Sequence, residues 1–68
     1  MIKYDKLFKK LEEKHITTYY IRKNKITGEA TLTKLRNNEP VTTATIDKFC
    51  MMLQCQPGDL MEFVPDND

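Results

Sequence analysis

Between Ile26 and Asn38 the chain reads ITGEATLTKLRNN. Its residue types suit noncovalent recognition better than bond-making. Thr33 offers a methyl and a hydroxyl, and Lys34 offers an ammonium. Those groups match the donors, acceptors and methyls that base edges present in a DNA major groove. Gly28 and Ala30 keep the leading end small, so bulk does not block entry into a groove. Only Ile26, Leu32 and Leu35 are apolar, a thin seam at helical spacing. A helix of this kind is held to a core by few residues and leaves most of its surface for a partner.

Other chemistries find less support. No nucleophile stands beside a base, no Gly-rich loop is present to cradle phosphate, and no paired carboxylates are set for acid/base work. Asp59 and Glu62 could be read as an acid/base pair, but capping a final turn accounts for Asp59. Cys50 falls in an apolar helical stripe and reads as core. With Cys55 and His15 it would make three metal ligands without a C-x-x-C spacing, so no metal site is assigned. His15 reads as a surface or cap residue. No catalytic residue, metal or cofactor is expected, and the chain is not read as an enzyme.

The recognition segment needs a scaffold, and the periodicity supplies one. Tyr4, Leu7, Phe8 and Leu11 repeat at i, i+3, i+4 and i+7, which predicts a helix over about 5–14. Thr17 is a good N-cap for a second helix over about 18–24, with Tyr20 and Ile21 facing inward and Ile16 covering its first turn. Thr27 can cap a third helix over about 28–37. Asn37, Asn38, Glu39 and Pro40 stop it. A fourth helix follows Thr42 or Thr43, with Ile46, Phe49, Cys50 and Leu53 as its stripe. In QPGDL, Gln56 is the N-cap, Pro57 fits the first helical position and Asp59 the first turn, giving one short turn over about 57–61. MIKY at the start and MEFV near the end both alternate, and they could pair as a small ribbon, within the chain or across a dimer.

With 68 residues the chain makes one domain, spanning 1–68. A chain this short buries only about 60% of the surface its unfolded form exposes, which leaves little room for a deep catalytic pocket. Two cysteines in apolar settings suit a reducing compartment. No apolar run approaches the roughly 18 residues that cross a bilayer. The start is charged and periodic, unlike a signal peptide. A cytoplasmic protein without a membrane partner is expected. The net charge of +1 conceals a gradient. Residues 1–16 carry five basic against three acidic residues (+2), residues 17–38 five against one (+4), and residues 39–68 one against six (−5). Such a split can orient a small protein on a polyanion, or it can be ordinary surface charge. Met51, Met52 and Met61 read as core filler or dimer surface. Met51 and Met52, being adjacent, cannot face the same way.

Two short helices joined by a tight turn, the second small and polar, describe a helix-turn-helix. Ile21, Leu32 and Leu35 resemble the buried frame of the Xre/Cro-repressor family. The tail LQCQPGDLMEFVPD resembles a short stand-alone branch of it, through Leu53, Cys55, Gly58, Asp59, Leu60, Glu62 and Phe63. The resemblance implies an all-α bundle of four or five helices, with the ribbon as an addition. It also implies duplex DNA as partner, a homodimer, and transcriptional regulation, expected here as repression. By position it puts Gly28, Glu29, Ala30, Thr33 and Lys34 toward bases, with Thr17, Thr18, Asn37 and Asn38 toward phosphate. Arg22 and Lys23 either clamp phosphates or solubilise the second helix; Arg36 and Lys34 are further phosphate candidates. No small-molecule effector is identified. The chain departs from the pattern twice: Arg22 stands where a small residue is usual, and NKIT stands where the turn often has Gly. Glu29 is a carboxylate facing a polyanion, but it can accept from a cytosine amine. The rival expectation is a protein-interaction module of antitoxin or adaptor type, which the acidic second half and exposed methionines would suit.

Overall fold

The computed structural model describes residues 1–65. Its first helix, α1 (Asp5–Glu13), follows from the apolar stripe: Tyr4, Leu7 and Leu11 are buried and Phe8 is half-buried at the edge. α2 (Thr18–Lys23) starts where Thr17 Oγ1 accepts the Tyr20 N–H at 3.1 Å. α3 (Glu29–Arg36) and α4 (Thr43–Leu53) complete the bundle, α4 capped by Thr42 Oγ1 on the Thr45 N–H at 3.3 Å. A 3₁₀ turn spans Pro57–Asp59. There the Gln56 N–H donates to Asp59 Oδ2 at 3.0 Å, so Asp59 closes the turn it was expected to cap.

The core takes one or more buried residues from every helix: Leu7 and Leu11, Ile21, Leu32 and Leu35, then Ile46, Phe49 and Leu53. Leu60 joins them from the tail and is fully buried. The Leu7 N–H is shared between Tyr4 O (3.0 Å) and Leu60 O (3.2 Å), which ties the tail to the first turn of α1. The chain ends pair within one molecule. β1 (Ile2–Lys3) and β2 (Glu62–Phe63) run antiparallel, with Ile2 opposite Phe63 and Lys3 opposite Glu62.

The helices end by one device. His15, Lys25, Asn38 and Gln54 have φ of 57°, 54°, 57° and 51°, and none is glycine. Behind each, an N–H reaches back five residues: Ile16 to Leu11 O, Ile26 to Ile21 O, Glu39 to Lys34 O and Cys55 to Cys50 O, at 2.8–3.1 Å. This is the Schellman closure, in which a left-handed residue lets the chain satisfy the last carbonyls. It also brings the two ends of each five-residue span together. In three of the four spans both ends are apolar or thiol side chains that lie in or against the core.

Three expectations need correction. Tyr20 does not face inward; it is 47% exposed. α2 makes fewer than two turns, so Ile21 is its one buried position, and Ile26 in the turn supplies the next apolar contact to the core. Thr27 does not cap the third helix. Gly28 is the N-cap, in extended conformation and with no side chain to offer, and Glu29 begins the helix with a carboxylate that suits the dipole. The last helical turn is a 3₁₀ turn ending at Asp59, short of the span to 61.

Candidate nucleic-acid interface

Leu32 and Leu35 lock one side of α3 to the core, at 1% and 0% exposure. Helical spacing then turns Glu29, Ala30, Thr33 and Lys34 outward, and all four are exposed, as is Gly28 at the cap. The expected base-facing residues are therefore all accessible, four on the outer side of α3 and Gly28 at its leading end. What each residue can offer is narrower than its type suggests. The Thr33 hydroxyl donates to Glu29 O at 3.1 Å, so its hydrogen is committed to its own helix. Thr33 keeps its oxygen lone pairs and its methyl for a partner. Glu29 is held from α2: Arg22 Nη1 lies 2.7 Å from its Oε2.

Two clefts flank α3. One lies at its leading end, lined by Arg22, Lys25, Thr27, Gly28 and Lys48. Three cations from α2, the turn and α4 converge there. Lys25 and Lys48 were not singled out by sequence reasoning. The available signal was slight: Lys48 is the one cation in the acidic half of the chain. The other cleft runs between α3 and the start of α4, lined by Thr31, Lys34, Pro40, Val41, Thr42 and Thr45. It adds three threonine hydroxyls beside Lys34.

The expected phosphate-facing residues separate into groups. Thr17 is exposed at the α2 cap, and Thr18 is half-buried beside it. Lys23 is exposed, with its Nζ 5.9 Å from the Tyr19 ring centroid. Arg36 and Asn37 are exposed at the end of α3. Asn38 is half-buried, and its Oδ1 accepts the Tyr4 N–H at 3.1 Å.

Burial pushes the Cys50 thiol up from its ordinary value, and nearby Cys55 adds to the effect. A thiol held protonated is a poor nucleophile. Both cysteines are free, and both pack against the core. Among the described residues no three or more His, Cys, Asp or Glu side chains come together in a way that could hold a metal ion. Among them, no helix is long and apolar enough to cross a membrane.

Residues 6–66 match the family profile described as the Cro/C1-type HTH DNA-binding domain. Among solved structures, the chain is similar to the crystal structure of transcriptional regulator VanUg, form II. The two share 29% sequence identity at a TM-score of 0.85, over 96% of this chain and 87% of that one. No curated protein matches the chain.

Proposed function

The chain belongs to the Cro/C1-type helix-turn-helix DNA-binding family, and from that premise we propose that it is a sequence-specific repressor that sets α3 in the major groove. One observation carries this reading. Leu32 and Leu35 anchor α3 while Glu29, Ala30, Thr33 and Lys34 stay exposed on its outer side and Gly28 is exposed at its leading end. In this reading those five residues meet base edges. Phosphates are met by Thr17 and Thr18 at the start of α2, by Arg22 and Lys23 near its end, and by Arg36, Asn37 and Asn38 after α3. Phosphate contacts fix the register, and base contacts choose the sequence.

One module of this size reads few base pairs, so two copies on half-sites about one helical turn apart are proposed. Met51 on α4 and Phe63 on β2, 74% and 68% exposed, support an apolar contact between copies. Repression follows from covering a promoter in the cytoplasm, with no catalytic step.

The same exposed side chains favour a second reading, in which the fold binds another protein. Salt separates the two. Fluorescence anisotropy of a labelled random duplex, titrated at three salt concentrations, tests for phosphate contact. Each neutralised phosphate adds about −0.9 to the log–log slope of affinity against salt. A steep slope supports the DNA-binding reading; no binding at low salt overturns it in favour of the protein partner.

A further inference from the structure

Arg22 and Glu29 lie seven residues apart, on either side of the helix-turn-helix turn, and meet at 2.7 Å. Their side chains are 48% and 62% exposed. An exposed ion pair adds little to stability, so what this one chiefly does is orient. It crosses from α2 to the first residue of α3, the end of the recognition helix that enters a groove first.

Consider Glu29 without Arg22. A free carboxylate at that end would be repelled by two phosphate backbones, and its long side chain would have many rotamers. Arg22 changes both. It cancels the charge, and it fixes one oxygen, Oε2. The other oxygen, Oε1, keeps its lone pairs. That oxygen can accept only from a donor. In the major groove, guanine presents acceptors at N7 and O6, and thymine presents an acceptor at O4. Adenine presents its N6 amine beside the N7 acceptor, which repels a carboxylate. Cytosine presents its N4 amine beside the C5–H of its own base, with the acceptors of the pair, O6 and N7, all on the guanine side.

We propose that Arg22 and Glu29 form one reading unit, in which Arg22 positions Glu29 so that its free oxygen accepts from the N4 amine of a cytosine in each half-site. The inference rests on the groove placement of α3 and goes beyond it by naming a base. Arg22 is a positioning residue here.

The test is selection of binding sites from a random duplex library, followed by affinity measurement on the winning site and its single-base variants. The wild-type protein should enrich cytosine at one position of each half-site. Glu29→Gln should move that preference to adenine, because an amide pairs with both N6 and N7. Arg22→Ala should reduce the preference for cytosine by about tenfold. Loss of a phosphate contact weakens all sequences alike, so the ratio between bases isolates the positioning role. Thermal melts of both variants should match the wild type, since both side chains are exposed. A selected site with no cytosine position that responds to Glu29→Gln overturns the proposal, as does a cytosine preference unchanged by Arg22→Ala. Salt-dependent binding with no enriched site overturns it together with the sequence specificity proposed above, while duplex binding itself stands. Absence of any duplex binding overturns both.

Discussion

The backbone N–H of Tyr4 donates to Oδ1 of Asn38 at 3.1 Å, joining positions 34 residues apart. Tyr4 is the N-cap of α1, and none of the cap's own side chains satisfies that end of the helix. Asn38 supplies the acceptor from the loop after α3. It also sits at φ 57°, where its own helix needs a left-handed residue. Asn tolerates that conformation better than other side chains do. One residue thus closes α3 and secures the start of α1.

Asn38→Ala should therefore lose a hydrogen bond worth about 1 kcal/mol and incur a backbone penalty of about 1–2 kcal/mol. Asn38→Gly should lose only the hydrogen bond. In thermal denaturation the alanine variant should melt lower than the glycine variant, by roughly 4–8 °C per kcal/mol in a domain this small. Equal melting points would show that the left-handed conformation costs nothing here.

Lys25 takes the left-handed position that ends α2, at φ 54°. Gly adopts it without a Cβ clash, at some entropic cost. Lys25→Gly should raise stability by about 0.5–1 kcal/mol net. It also removes a cation from the cleft at the leading end of α3. Duplex binding should weaken as the melting point rises. That opposition distinguishes a phosphate contact from general loosening.

Local patterns in the chain revealed most of the scaffold. The stripes of α1 and α4, the Thr17 and Thr42 caps and the terminal ribbon all follow from spacings of a few residues or from strand-forming ends. The buried frame of Ile21, Leu32 and Leu35 is likewise a spacing. What escaped depends on how helices cross. Nothing local links Arg22 to Glu29, because whether they meet is set by the path of the turn between them. Lys48 reaches the leading end of α3 only because α4 packs alongside. Periodicity points Tyr20 inward, but it overestimates burial in a helix of six residues. The turn itself was opaque, since NKIT contains no glycine to mark the left-handed residue.

Leu35 is fully buried in α3. Leu35→Ala should cost about 2–5 kcal/mol, the range for emptying a leucine site in a packed core. Against a stability of about 5 kcal/mol, the low end for a small domain, about 0–3 kcal/mol would remain, and the melting point should fall by roughly 8 °C or more. Circular dichroism melts check this, and an unchanged curve would place the leucine outside the core.

Cys50 should react slowly with iodoacetamide near neutral pH, because burial and neighbouring Cys55 raise its pKa above the ordinary thiol value and suppress the thiolate. The linkage has a definite sign. Below the unfolded pKa both states hold the proton, and stability is unaffected. Above it the unfolded thiol ionises first, so stability falls as pH rises through the folded value. Labelling rates and melts measured from pH 7 upward should show the rate rising and the melting point falling together. Rapid labelling at neutral pH would contradict the raised pKa.

Lys34 distinguishes the two partners proposed for this fold. It stands exposed on α3 and also lines the cleft that reaches the start of α4. A lysine there can meet a phosphate across the groove edge or a base within it. Lys34→Ala should weaken binding to duplex DNA in either case. A phosphate contact lowers the salt slope by about 0.9 and affects all sequences alike, whereas a base contact leaves the slope and changes preference at one position. The melting point should hold, since the side chain packs against nothing in the core. Affinity unchanged at low salt would take α3 out of the groove and favour a protein partner on the exposed side chains of α4 and the ribbon.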